Sequence, residues 1–298
     1  LYGFDVAKFV LFAQIFSWFN FYCICRTYSN SLEAVLVMVS LNYWIEVFIK
    51  KRNTKKYKKD LSDEKIALIF ASLSVVVRPT SSILWLVIGI NRLFNLPFDQ
   101  WIYYLARTVF PIFGLILLSS TIIDSLIYGH FVFVPYRFLK FNILEGKSAL
   151  FGVQPWHWYF LQGFPTVLGI YVPFLMHGIL RNKYAQMIFT PILLYIIIHS
   201  LSPHKEFRFL LPILSLSHVL VGKSLHSFLS KSSLKGKRVK FMLAVATIHM
   251  TLAIYFSMYH QRGPIAIMDS LQNAIRAEKS RSEPFVLFLL PCHYTPLY

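Results

Sequence analysis

The sequence has little charge for its length: 14% of its 298 residues are Asp, Glu, Lys or Arg, whereas 56% are hydrophobic. A soluble fold of this size cannot bury so much apolar surface, so the composition predicts an integral membrane protein. The three cysteines, Cys23, Cys25 and Cys292, form neither a metal-ligand spacing nor a disulfide framework. A glycine-rich phosphate loop, a Ser-His-Asp arrangement and an HExxH motif are also missing, which argues against soluble nucleotide-sugar chemistry.

Acidic residues are scarce too, with 13 Asp and Glu against 30 Lys and Arg, and the excess positive charge is concentrated. Residues 50–59 contain seven Lys and Arg, and residues 223–240 contain six. Neither segment interleaves aromatic residues with base-reading polar residues, so we exclude a nucleic-acid partner. By the positive-inside rule, both segments are predicted to lie in the cytoplasm.

Nine apolar runs approach the length of about 20 residues that a helix needs to cross a bilayer. We therefore predict an all-α polytopic membrane domain over 1–260, with a non-cytoplasmic loop at 124–162. The tail at 261–298 is predicted to begin a small domain on the same side, with a strand at 285–290. Because the chain does not begin with Met, we expect further sequence before it, and the tail reads as cut off. The nine runs are 8–25, 32–49, 63–77, 82–97, 101–123, 164–180, 186–202, 207–222 and 241–259.

Ionisable residues cluster at span ends on the side opposite the two basic segments. Charges at membrane depth are costly, and by default they line a polar cavity or pair with one another. The clustering favours a functional site on this face, although charged span ends are common in membrane proteins. The candidates are Arg26, Glu33, Arg78, Asp124, His204, Lys205, Glu206 and Arg208.

The densest cluster is residues 204–209, the HKEFRF segment, which opens a predicted span. If the segment is helical, Lys205 and Arg208 lie on one face and can bind two oxygens of one phosphate. Glu206 would then orient either cation. The alternative is a water-facing helix start that contains only a local ion pair.

Two arginines in tight connections offer a second source of phosphate ligands. Arg26 and Arg78 can each present a planar fork to a phosphate group. The alternative is that they pair with Glu33 or close a turn.

The longest loop on this face combines a carboxylate with several aromatic residues. Asp124 opens it, and Trp156, His157 and Trp158 lie near its end. Aromatic rings can pack against a sugar or a polyisoprenoid chain, and His157 titrates near neutrality. An interfacial aromatic belt, which is common in membrane proteins, explains the same pattern equally well.

Five motifs together resemble a known family, the endoplasmic-reticulum α-mannosyltransferases that use dolichyl-phosphate-mannose and have the GT-C fold. The resemblance covers essentially the whole chain. Within that family, LLPCHYTPLY at 289–298 is similar to the tail of the members that add the third mannose of the glycosylphosphatidylinositol (GPI) anchor. The five motifs are RTYSNSLE at 26–33, RPT at 78–80, DSLIYG at 124–129, PWHWYF at 155–160 and HKEFRF at 204–209.

The resemblance implies a multi-pass protein of the endoplasmic reticulum membrane whose motif-bearing loops are luminal. It implies transfer of an α-1,2-linked mannose onto the lipid-linked GPI intermediate, with inversion at the anomeric carbon of the donor. A carboxylate would deprotonate the acceptor hydroxyl while cations stabilise the departing phosphate. We expect no metal or other cofactor, dolichyl-phosphate-mannose as co-substrate and lipid-linked substrates as partners, and we assign no protein partner.

These implications assign a role to each candidate residue. The acidic motif that the family carries near its N-terminus has no match here, so we expect the principal catalytic carboxylate upstream of this sequence. Asp124 and Glu206 are supporting candidates. The donor phosphate is assigned to Lys205, Arg208, Arg78 and His204, and the sugar or acceptor to Trp156, His157, Trp158 and Arg26.

Three other functions remain open at this point. The nearest is a related α-mannosyltransferase that acts on the N-glycan lipid precursor or adds the fourth GPI mannose. A secondary transporter would place charges within the spans and counterparts in two halves, whereas these charges crowd one face. The third is an inactive membrane scaffold.

Overall fold

The structure is a computed structural model, and its regular elements are all helical within the residues that it describes. The LLPCHYTPLY motif and the predicted strand at 285–290 lie outside those residues, as does most of the basic segment at 50–59. The described residues are 3–26, 28–49, 57–182, 185–230, 235–260 and 262–277.

All nine predicted apolar runs are helical over most of their length. Short 3-10 or π turns connect several of the α-helices, notably at Pro79–Ser81, Leu105–Val109, Tyr159–Gly163 and Phe207–Leu210. The α-helices are α1 (Gly3–Ile15), α2 (Trp18–Ile24), α3 (Ser29–Ile49), α4 (Tyr57–Val77), α5 (Ser82–Phe94), α6 (Trp101–Tyr104), α7 (Phe110–Tyr128), α8 (Val134–Leu139), α9 (Phe164–Leu168), α10 (Val172–Arg181), α11 (Ala185–Leu201), α12 (Leu211–Ser230), α13 (Lys235–Met258) and α14 (Gly263–Ala277).

Four helical stretches in the described residues are long and apolar enough to cross a membrane. A fifth is formed if α1 and α2, which meet at an angle of 62°, are counted as one broken span. The prediction of an all-α membrane protein is thus confirmed, whereas the number of nine spans stays a prediction. The four stretches are Phe98–Tyr128, Tyr159–Arg181, Phe207–Ser230 and Gly236–Met258.

Helix α12 is the centre of the bundle. Of the 18-residue apolar stretch in its span, 78% is buried, against 0% of the corresponding stretch in the span that contains α7. Neighbouring helices approach α12 closely at glycines: a Cβ at Gly178 would lie 2.5 Å from the carbonyl oxygen of Leu220, and one at Gly222 would lie 2.5 Å from Val10. The HKEFRF segment leads directly into this helix, so its position is fixed by the best-packed part of the molecule.

A buried ion pair joins α4 to α5 far from that segment. The Arg92 guanidinium donates to both carboxylate oxygens of Glu64, at 2.7 and 3.0 Å. The Tyr104 hydroxyl donates to the same carboxylate at 2.8 Å. The side chains of Glu64 and Arg92 are 4% and 14% exposed, so this closed cluster (Glu64, Arg92 and Tyr104) is shielded from ligands.

The predicted loop at 124–162 begins later than expected. Helix α7 continues through Asp124 to Tyr128 and ends where Gly129 adopts φ 69°, a left-handed conformation that favours glycine. The connection to the next span is itself folded, since it contains α8, a π turn at Lys140–Leu144 and a 3-10 turn at Lys147–Phe151.

Candidate functional site

The HKEFRF segment is extended at its start. Glu206 has φ −134° and ψ 151°, and the helical turn begins only at Phe207. Lys205 therefore precedes the helix, and the helical spacing that would place it beside Arg208 does not apply. Because successive side chains alternate in extended chain, Lys205 faces the opposite side from His204 and Glu206.

Lys205 uses its ammonium group to hold two segments of backbone. It is 6% exposed and donates to the carbonyl oxygens of Gln154, at 3.1 Å, and Ser202. Burial lowers the pKa of Lys205. The Gln154 N–H in turn donates to the Pro203 carbonyl at 3.0 Å. Lys205 thus connects the HKEFRF segment to the chain that leads into PWHWYF.

On the other side of the segment, Glu206 binds two basic side chains. Its Oε1 lies 2.9 Å from His204 Nε2 and accepts from Arg208 Nη2 at 2.8 Å, and its Oε2 pairs with Arg208 Nε. Burial alone would raise the pKa of Glu206, but the hydrogen bonds and charges of Arg208 and His204 bring it below its ordinary value. The His204, Glu206 and Arg208 side chains are 16%, 29% and 40% exposed, so we call them the open cluster.

A second guanidinium lies beside the open cluster. Tyr28 neighbours both groups: the Arg208 guanidinium lies 5.3 Å from its ring centroid, and the Arg26 side chain interacts with the Tyr28 side chain. Arg26 also covers the Tyr22 ring at 4.0 Å. Two guanidinium groups thus share this region with one carboxylate, an arrangement that suits a bound anion.

Arg78 is engaged by its own neighbours. It pairs with the fully buried Glu33, at 3.2 Å, and donates to Ser29 and Asn30 at 3.1 and 3.2 Å. Its guanidinium lies 5.1 Å from the centroid of the Phe209 ring. The alternative function for Arg78, pairing with Glu33, is therefore present, and Arg78 links three motifs.

Two buried tyrosines hold the backbone of the HKEFRF segment. The Tyr159 hydroxyl donates to the Glu206 carbonyl and accepts from the Glu206 N–H, both at 3.2 Å. The Tyr195 hydroxyl donates to the Phe209 carbonyl at 2.9 Å, and His199 stacks on the Tyr195 ring at 4.0 Å. Tyr159 thus satisfies the Glu206 N–H and shares the Glu206 carbonyl with the Phe209 N–H, which donates to it at 3.3 Å.

Sequence reasoning did not select either tyrosine as functional. Tyr159 is part of PWHWYF, and Tyr195 lies in the apolar run that forms α11. A signal was available, because a buried tyrosine hydroxyl usually needs a hydrogen-bond partner. That signal predicts a partner but does not say which segment provides it.

The two tryptophans of PWHWYF have opposite environments. Trp158 is 8% exposed and packs on the Phe207 ring at 4.7 Å. Trp156 is 68% exposed, with its ring 5.6 Å from His157 and 6.4 Å from Phe160. Of the three residues predicted here to contact the sugar or acceptor, Trp156 is exposed and His157 half-buried, whereas Trp158 packs against the first turn after Glu206.

The structure brings four of the five motifs together and leaves DSLIYG apart. Asp124 is a half-buried residue of α7, and within the described chain its hydrogen-bond partner is Ser120, at 3.3 Å in the same helix. Ser125 of this motif accepts from the Val132 N–H at 3.0 Å, which folds the following chain back on α7. Within the described ranges, His, Cys, Asp and Glu side chains form no group of three that could hold a metal ion.

The sequence profile of the Alg9-like mannosyltransferase family matches residues 1–298. The chain belongs to this family. The membership expected from the five motifs is thus confirmed.

Individual relatives agree with the profile. Mannosyltransferase APTG1 of Arabidopsis thaliana is 37% identical over 317 residues, which cover 100% of this chain and 56% of that protein. GPI alpha-1,2-mannosyltransferase 3 of Bos taurus is 35% identical over 99% of this chain and 51% of its own length. GPI mannosyltransferase 3 of Debaryomyces hansenii is 34% identical over 98% and 51%. The chain spans about half the length of these curated relatives, and no solved structure matches it.

Proposed function

We propose that the protein is a glycosyltransferase that adds the third, α-1,2-linked mannose to the lipid-linked GPI precursor. The donor is dolichyl-phosphate-mannose, and the reaction takes place on the luminal side of the endoplasmic reticulum membrane. Family membership and the names of the relatives support the reaction class. The observation that carries the proposal is the convergence of four motifs around a cation-rich, partly exposed cluster.

The donor phosphate is assigned to Arg208, His204 and Arg26. Departure of dolichyl phosphate concentrates negative charge on the phosphate oxygens, and fixed cations stabilise that charge without reorganising. Arg208 is the most exposed member of the open cluster, and both Arg208 and Arg26 neighbour Tyr28. With these groups in place, the reaction needs no metal ion.

Lys205 and Arg78 have a positioning role in this proposal. Both were expected to bind phosphate directly, but their charged groups already contact carbonyl oxygens and the Glu33 carboxylate. We therefore propose that they position the HKEFRF segment. Their removal would displace Arg208 by shifting its backbone.

Glu206 orients Arg208 and His204 and does not act as the general base. A base must be available to accept a proton, whereas two basic side chains keep the pKa of this carboxylate low. Trp156 and His157 are proposed to contact the sugar or acceptor, because their rings are accessible.

The decisive experiment expresses the full-length gene product in cells that lack the third GPI mannosyltransferase. We expect surface display of GPI-anchored proteins to return and the precursor with two mannoses to disappear. Parallel expression in cells that lack the fourth GPI mannosylation or an N-glycan mannosylation tests the related functions. Rescue of one of those lines instead, or of none, would overturn the proposal.

A further inference from the structure

The chain between the two spans at Phe98–Tyr128 and Tyr159–Arg181 contains an exposed amphipathic helix. Helix α8 and the π turn after it form one helical stretch from Val134 to Leu144. Large apolar side chains on this stretch are open, with Tyr136, Leu139 and Ile143 at 54%, 45% and 68% exposure. Water is a poor solvent for so much apolar surface in a short segment.

The two faces of the stretch differ in their contacts. Phe138 and Asn142, one helical turn apart, line a groove with Tyr128 and Val132 and are half-buried. This face is thereby turned toward the end of α7. Positions 136, 139 and 143 follow helical spacing beside this face and form a narrow, exposed apolar stripe.

A basic residue borders that stripe: Lys140 is one turn after Tyr136 and is exposed. Arg137 is exposed too, but it lines the groove, and its Nη2 lies 3.4 Å from His130 Nε2. Glu145 lies in the turn that follows the stretch, and its carboxylate pairs with Lys147 at 2.8 Å and with Lys140 at 3.7 Å. An apolar stripe with a long basic side chain at its edge is typical of helices that lie in a membrane interface.

The position of the stretch agrees with that pattern. Both ends of the connection are anchored to helices of spanning length, and the Ser125–Val132 hydrogen bond keeps its start against the last turn of α7. We propose that Tyr136, Leu139 and Ile143 insert into the lipid leaflet on this face, with Lys140 directed to anionic headgroups. The 134–144 helix then lies in the plane of the membrane.

The test measures the depth of individual positions in the full-length protein reconstituted into nanodiscs. An environment-sensitive fluorophore is attached to Ile143→Cys in a background without other reactive cysteines. Two matched positions are labelled in the same way: Asn142→Cys on the inner face and Glu145→Cys in the turn. Nitroxide-bearing lipids and aqueous iodide serve as the two quenchers.

We expect the label at position 143 to emit at shorter wavelength than at 145 and to be quenched by lipid, whereas iodide quenches position 145. Stronger iodide quenching at 143 would show a water-facing helix and overturn the proposal. Protection of position 143 from both quenchers, as expected for 142, would show a protein partner and overturn it too.

The role of Lys140 is tested separately by changing it to glutamate, K140E. In nanodiscs with anionic lipid, emission at 143 should shift toward longer wavelength, while discs of neutral lipid should show no shift. An identical response in both compositions would refute recognition of anionic headgroups. None of these readouts depends on transferase activity.

Discussion

The closed cluster and the open cluster use the same chemistry, an arginine bound to a glutamate, in different surroundings. In the closed cluster, both oxygens of Glu64 bind Arg92 and a phenol adds a third bond, and the carboxylate is 4% exposed. In the open cluster, the Arg208 side chain is 40% exposed, and a second guanidinium, Arg26, shares Tyr28 as a neighbour. The former is a structural pair, and the latter retains capacity for an anion.

The comparison shows that a charged residue in a membrane protein can be assigned a structural or a ligand-binding role only when its partners are known. Counting charged residues would rank Glu64 and Arg92 beside Glu206 and Arg208. What separates them is the balance of charge and the exposed fraction of each side chain. Four experiments test whether this distinction holds, and they are described from the largest expected effect to the smallest.

Replacing Glu64 with alanine should have the largest effect, and it should act on stability. Breaking a buried pair leaves an uncompensated charge and costs about 3–5 kcal/mol. The thermal unfolding temperature in detergent should fall sharply. The matched control is Asp5→Ala, which removes an exposed acid paired with Lys8. Equal unfolding temperatures for the two variants would contradict a structural role for the closed cluster.

Replacing Arg208 with alanine should act on the reaction and leave folding nearly unchanged. Loss of a preorganised donor to the leaving phosphate lowers the transfer rate by about 10²-fold. Arg208→Lys should recover part of the rate, because lysine keeps the positive charge but lacks the planar pair of donors of the guanidinium group. The control is Arg107→Ala, at an exposed arginine of the π turn before α7. An unchanged transfer rate in both Arg208 variants would contradict a role for Arg208 in binding the donor phosphate.

Replacing Tyr159 with phenylalanine should have an intermediate effect. It leaves the Glu206 N–H without its partner, at a cost of about 1–3 kcal/mol, whereas the Glu206 carbonyl still accepts from the Phe209 N–H. The KM for the lipid donor should rise because the open cluster is no longer held in place. Tyr171→Phe is a matched control, since Tyr171 is fully buried and its hydroxyl has no hydrogen-bond partner in the described chain. A lower unfolding temperature with an unchanged KM would indicate a purely structural tyrosine.

The smallest effect concerns pH. Because the folded-state pKa of Glu206 lies below its unfolded value, its stabilising contribution is complete above the ordinary carboxyl range. That contribution is lost as the pH falls through the folded-state pKa. The unfolding temperatures of the wild type and Glu206→Gln should therefore differ by a constant amount near neutrality and converge only in acid. Convergence at neutral pH would contradict the assigned pairing.

Several features of the site followed from the sequence because they depend on local pattern. The HKEFRF segment was identified by its density of ionisable groups, and it does lie at the start of a span. The alternative role of Arg78, pairing with Glu33, was also foreseen. The sequence predicts that Asp124 opens a polar loop, yet α7 continues past it to Tyr128.

Other features could not be predicted because they depend on distant segments. Trp156 and Trp158 are indistinguishable in the sequence, but one is exposed and the other packs against Phe207. Lys205 was grouped with Arg208 on the assumption of a helix. Its true partners are carbonyl oxygens, one of them 51 positions away at Gln154.

What the sequence determined by itself is the class of molecule: apolar runs become helices because their backbone groups bond within the run, and that does not depend on neighbours. The five motifs determined the family. Only the tertiary structure decided which cations are free for a ligand. An extended segment such as 204–206 lacks the continuous backbone bonds of a helix, so the contacts of Tyr159 and Lys205 fix its direction, and that direction leaves Arg208 partly exposed.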